Sequence, residues 1–155
     1  MVYPVDGKIF ELTLDGDSIE NDPLEMIRHD FIWNYEWKHI GKKVTGIQTC
    51  RFKLVSVEFC FNLAEVIAKI SFWGKIPEGQ WRNAFRTAFP NPDPPKPFWA
   101  IYPAYAEGKW PVGVADPSWI DPSGFVHFPF VHCTHSSFPS ANDVFSRNWC
   151  WLVQI

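Results

Sequence analysis

The sequence predicts an α+β fold: an antiparallel sheet of about five to seven strands, two helices packed on one side, and Pro-rich loops. Three observations predict it. Apolar and polar residues alternate in the N-terminal third and again around residue 55. Two other segments carry apolar stripes at helical spacing. The C-terminal half is rich in β-branched and aromatic residues and is repeatedly cut by proline. The 155 residues suit one domain, taken as 1–155, and 46% apolar against 20% charged residues excludes a disordered chain.

Each element has its own signal. Lys8–Leu14 reads as a strand, with Phe10, Leu12 and Leu14 on one face and Ile9, Glu11 and Thr13 on the other; Asp15-Gly16-Asp17-Ser18 is the turn that ends it. Asp22-Pro23-Leu24-Glu25 is a helix start, with Asp22 as N-cap, Pro23 in the first turn and Glu25 as the capping-box partner. Leu24, Ile27, Phe31 and Tyr35 continue it as one stripe, and Gly41 is the expected stop, which gives a helix over 23–40.

Cys50–Leu63 alternates cleanly, Val55, Val57, Phe59, Phe61 and Leu63 sharing a face, and predicts a half-buried strand. Residues 64–73 carry two signals. Glu58, Asn62, Glu65 and Lys69 fall at helical spacing, whereas the Val, Ile, Phe and Trp content favours a second strand, the assignment adopted. Trp81, Phe85 and Phe89 mark a helix over 77–89, closed by Pro90. Five prolines between Pro90 and Pro97 make a stiff, extended connector. Beyond it, Phe98–Ala106 and Lys109–Ala115 flank Glu107-Gly108 as a hairpin, and Phe125–Cys133 and Trp149–Ile155 are further strands. Pro103, Pro111 and Pro129 mark those runs as edges, bulges or short strands.

Charge and cysteine usage narrow the function. The net charge is −3, which argues against a nucleic-acid partner, but it is unevenly spread. Residues 1–36 hold nine carboxylates against Lys8 and Arg28, a balance of −7, and the remainder is mildly basic. An acidic end of this kind suits a partner with a basic surface. Cys50, Cys60, Cys133 and Cys150 form no C-x-x-C pair and no zinc spacing, which predicts reduced thiols in the cytoplasm; a Cys50–Cys60 bridge is the alternative. Residues 1–6 lack the basic and apolar regions of a signal peptide, and Leu54–Trp73 is too broken by charge to span a membrane.

No G-x-S-x-G, G-x-G-x-x-G or G-x-x-x-x-G-K-[ST] motif is present, and no cofactor is expected. Nine tryptophans are the stronger lead. Trp99, Tyr102, Trp110 and Trp119 lie in a turn-rich stretch, and Trp33 and Trp37 are four apart beside the acidic segment; exposed rings of this kind anchor protein interfaces or stack on sugars. The opposing reading places most of these rings in the core. His127, His132, Cys133 and His135 form the densest cluster of reactive types, with Asp116 and Asp121 upstream. His132 and His135 are the metal-ligand candidates, although His127 and His132 would point to opposite faces of one strand. One histidine working with a carboxylate in acid–base chemistry, or histidines held by backbone and water, are the other readings.

The expectation is therefore a small cytoplasmic, non-catalytic protein that binds another macromolecule, such as an inhibitor or immunity-type factor. A sugar-binding or small-ligand-binding module and a metal-dependent enzyme are the competing expectations.

Overall fold

The computed structural model describes residues 4, 7–30, 36–57, 60–90, 112–131 and 149–155. Strand β1 (Phe10–Asp15) pairs antiparallel with β3 (Ile47–Ser56), and β3 pairs antiparallel with β7 (Cys150–Gln154). The fourth strand of this sheet, β4 (Val112–Gly113), runs parallel to β7, so the order is β1-β3-β7-β4. A second sheet joins the two-residue strands β2 (Lys38–His39), β5 (Trp119–Ile120) and β6 (Val126–His127), all antiparallel. Three helices complete the described fold: α1 (Pro23–Asp30), α2 (Leu63–Ile70) and α3 (Trp81–Ala88).

The class is α+β, but the expected single sheet is divided into four- and three-stranded sheets, and one pair is parallel. Proline explains the division. Pro117, Pro122 and Pro129 bracket β5 and β6, and with no N–H to donate they stop each strand after two residues.

Helices α2 and α3 lie on opposite faces of the larger sheet. Leu12, Leu14, Phe52, Leu54 and Leu152 pack with Trp81 and Phe85 of α3. Val55, Trp151 and Val153 face the other way and pack with Leu63, Val66 and Ile70 of α2. Consecutive residues of β7 thus serve opposite cores, which is why Cys150-Trp151-Leu152-Val153 is a continuous apolar run.

Residues 63–70 are helical, not a second strand. The deciding signal is the cap. The Asn62 side chain accepts the Glu65 N–H at 3.0 Å, while the Glu65 carboxylate accepts the Phe61 N–H at 2.7 Å. Leu63, Val66 and Ile70 then bury one stripe, and the preceding strand ends at Ser56 instead of reaching Leu63.

The start of α1 is as expected: Asp22 accepts the N–H groups of Leu24 (3.2 Å) and Glu25 (3.4 Å). Glu25 does not close the box but pairs with Arg28. The helix does not run to residue 40, because Lys38 and His39 are paired with Ile120 and Trp119 in the second sheet. Helix α3 lies within the expected 77–89 span. The expected strand Phe98–Ala106 lies outside the described residues, as does most of the Pro90–Pro97 connector; of the expected strand Lys109–Ala115, residues 109–111 lie outside them and Val112–Gly113 is β4.

Candidate binding surfaces

Two of the tryptophans singled out as binding residues are interior. Trp119 is 1% exposed and Trp37 8% exposed, and both pack with Met26 and Ile27. The Trp119 Nε1–H donates to the Pro23 carbonyl at 2.9 Å, which ties the first turn of α1 to the second sheet. Its ring lies so close to Gly79 that a Cβ there would stand 2.2 Å from Cη2. These two indoles fill the core between the second sheet and α1, and that burial removes them from the exposed platform expected of them. Trp33, Trp99, Tyr102 and Trp110 lie outside the described residues, and so do His132, Cys133 and His135.

His127 and Asp121 are brought together, Nε2 and Oδ2 being 2.9 Å apart. The other carboxylate oxygen accepts the N–H groups of Ser123 and Phe125, each at 2.9 Å, in a turn where Gly124 adopts φ +86°. Desolvation pushes the Asp121 carboxyl up, but the His127 bond and the two backbone donors outweigh it and hold it below its ordinary value. The His127 ring lies 4.4 Å from that of Trp37, and its Nδ1 is buried without a hydrogen-bond partner. The pair closes the β5–β6 hairpin.

Asp116 is buried at the junction of the second sheet and α3. It accepts the Gly79 N–H at 2.8 Å and the Ser118 hydroxyl. Burial still dominates and pushes its carboxyl above the ordinary value. His39 packs edge-on against Trp119, ring centroids 4.8 Å apart, and burial lowers its pKa. Among the described residues, no group of three or more His, Cys, Asp or Glu side chains is placed to hold a metal ion. Cys50, Cys60 and Cys150 are not joined in disulfides, so the Cys50–Cys60 bridge is not formed.

The open surfaces lie elsewhere. Phe72 and Trp73 follow the C-terminus of α2 and are 89% and 51% exposed. Their rings meet edge-on at 6.2 Å, and Lys53 Nζ sits 5.0 Å from the Trp73 ring centroid. The tip that carries them is held firmly. Ser71 bonds back to the Ile67 carbonyl, and Lys75 exchanges backbone hydrogen bonds of 2.8 and 2.9 Å with Gln154. Gly74 fits against that edge because a Cβ would stand 2.4 Å from the Gln154 carbonyl oxygen.

A cleft of about 650 Å³ opens between β1, α3 and the 3-10 turn Ile19–Asn21 that precedes α1. Thr13 and Asp15 of β1, Arg82 and Arg86 of α3, Glu20 of the turn and His29 of α1 line it. Buried amides fix its frame. Gln80 donates to the Asn21 carbonyl (2.7 Å) and accepts from the Val44 N–H (2.6 Å), and Asn83 bonds the Asn21 side chain (3.0 Å) and the Glu20 carbonyl (2.9 Å).

Comparison with known families, curated proteins and solved structures finds no match. No helix among the described residues is long and apolar enough to cross a membrane.

Proposed function

We propose that this chain is a small cytoplasmic, non-catalytic binding protein that engages another protein, in the manner of an inhibitor or immunity-type factor. The observation that carries the reading is the Phe72–Trp73 pair, two large rings held out from a fixed helix end. Aromatic side chains on rigid supports dominate interface energetics, because they bury much area while losing little conformational freedom. Lys53 stands over the Trp73 ring and supplies part of the polar rim such interfaces carry. The reduced cysteines Cys50, Cys60 and Cys150 accord with a reducing compartment.

A photo-crosslinking side chain at position 72, with the same group at Phe125 as a control, tests this reading in the native host. Phe125 is also exposed but lies on the β5–β6 turn. A discrete adduct with one protein, formed from position 72 and suppressed by excess unmodified protein, is the expected result. No adduct, or the same mixture from both positions, overturns it.

A further inference from the structure

We infer that the free edge of β1 takes up an extended cationic segment of the partner protein as an added β-strand. This rests on the binding-protein reading and assigns it a second surface with its own chemistry.

The pairing geometry shows which backbone groups are open. The Gly16 N–H donates to the Gly46 carbonyl at 2.8 Å, in the register that sets Leu14 opposite Gln48 and Leu12 opposite Cys50. Hydrogen-bonded and non-hydrogen-bonded pairs alternate in an antiparallel ladder. Leu12 and Leu14 therefore bond to β3, and the N–H and C=O groups of Glu11 and Thr13 point away from it. Two further bonds agree. The Arg51 carbonyl, opposite Glu11, accepts the Ile155 N–H from the far side, and the outward Asp15 carbonyl accepts the Asn21 side chain at 2.8 Å. Among the described residues nothing pairs with the outward groups of Glu11 and Thr13, and β1 is the last strand of its sheet.

The side chains select the occupant. Glu11, Thr13 and Asp15 share the exposed face of β1. A strand laid alongside places alternate side chains opposite Glu11 and Asp15, where Lys or Arg is favoured. Arg51 and Lys53 on the same face stand one strand further off. Side chains on the other face of the added strand enter the cleft, where the buried residues Leu14, Met26 and Ala84 are part of the lining, so apolar residues suit those positions. A second copy of this chain is a poor occupant. Two β1 strands paired antiparallel about Thr13 would set Glu11 opposite Asp15 twice, and like charges facing each other repel.

A seven-residue peptide of alternating Lys and Val is the probe, with alternating Glu and Val as its control. Amide hydrogen exchange is read residue by residue on the full chain. Glu11 and Thr13 amides should exchange fast in the free protein and become protected by the Lys peptide, which should bind about tenfold more tightly than the Glu peptide. Thr13→Pro removes an outward N–H that β3 does not use, and should abolish the protection. Glu11→Lys leaves one charge of each sign on this face and should erase the preference between the two peptides. Equal binding of both peptides overturns the inference. So does protection confined to other residues, or Glu11 and Thr13 amides already protected in the free protein by the chain itself or by self-association. Such a failure leaves the Phe72 adduct untouched, because that experiment reads a different surface.

Discussion

The indole N–H of Trp119 donates to the main-chain carbonyl of Pro23, 96 positions away in sequence, across 2.9 Å. This bond couples the second sheet to the start of α1, and α1 in turn flanks the cleft beside β1. Trp119→Phe removes the donor and leaves a small void. It should cost about 1–3 kcal/mol in urea unfolding while leaving the fold intact. An unchanged midpoint would show that the bond contributes nothing.

Gly79 should tolerate no side chain. A Cβ there meets Trp119 at 2.2 Å and Pro129 Cγ at 2.6 Å, both in the buried junction. Gly79→Ala should destabilise by more than about 2 kcal/mol, near the upper part of the overpacking range. Gly7 is the contrast: nothing lies within 4 Å of its added Cβ, so Gly7→Ala meets only the cost of its positive φ of +78°.

The carboxylates divide by sign. Burial raises the Asp116 pKa, so its contribution to stability is fully present below the ordinary value of 3.8 and is lost as pH rises through its higher folded value. Asp116→Asn keeps an acceptor for Gly79 and removes that loss. Relative to the wild type, it should gain stability between pH 4 and pH 7 in parallel urea titrations. Asp22 and Asp121 are lowered, so their contributions are present above 3.8 and lost as pH falls through the lower folded values. Asp121→Asn should therefore destabilise at pH 7 and less so at pH 3. Opposite trends in either variant would contradict the assignment.

The cap of α2 is open to a direct check. Asn62→Ala removes the acceptor for the Glu65 N–H and should cost about 1 kcal/mol, with Asn62→Asp nearly neutral. Circular dichroism during thermal unfolding reads both. Equal losses would mean that the cap geometry is not what holds the helix.

The legible parts of the fold were those written in local sequence. Phe10, Leu12 and Leu14 alternate because β1 has one buried face, Asp22-Pro23 starts α1, and Trp81 and Phe85 mark the buried stripe of α3. Within 64–73 the β-branched and aromatic content favours a strand, whereas the signal that makes 63–70 helical is a cap of only two residues, Asn62 and Glu65. Strands of two residues, such as β5 and β6, have no periodicity to detect, and the parallel β4–β7 pair hydrogen-bonds segments far apart in sequence, which no local pattern marks. The surfaces were less legible than the core. Trp37 and Trp119 drew attention as large rings, yet exposure is decided by neighbours distant in sequence, and it fell instead to Phe72 and Trp73. The cleft is assembled from β1, α1 and α3, so no single stretch carries its signature.

The most direct measurement is the affinity of the captured partner for Phe72→Ala, Trp73→Ala and Phe125→Ala variants, compared with the unmodified chain. The account predicts at least about a tenfold loss for each of the first two and no change for the third, as hot-spot energetics require. Equal affinity across all four proteins would contradict it.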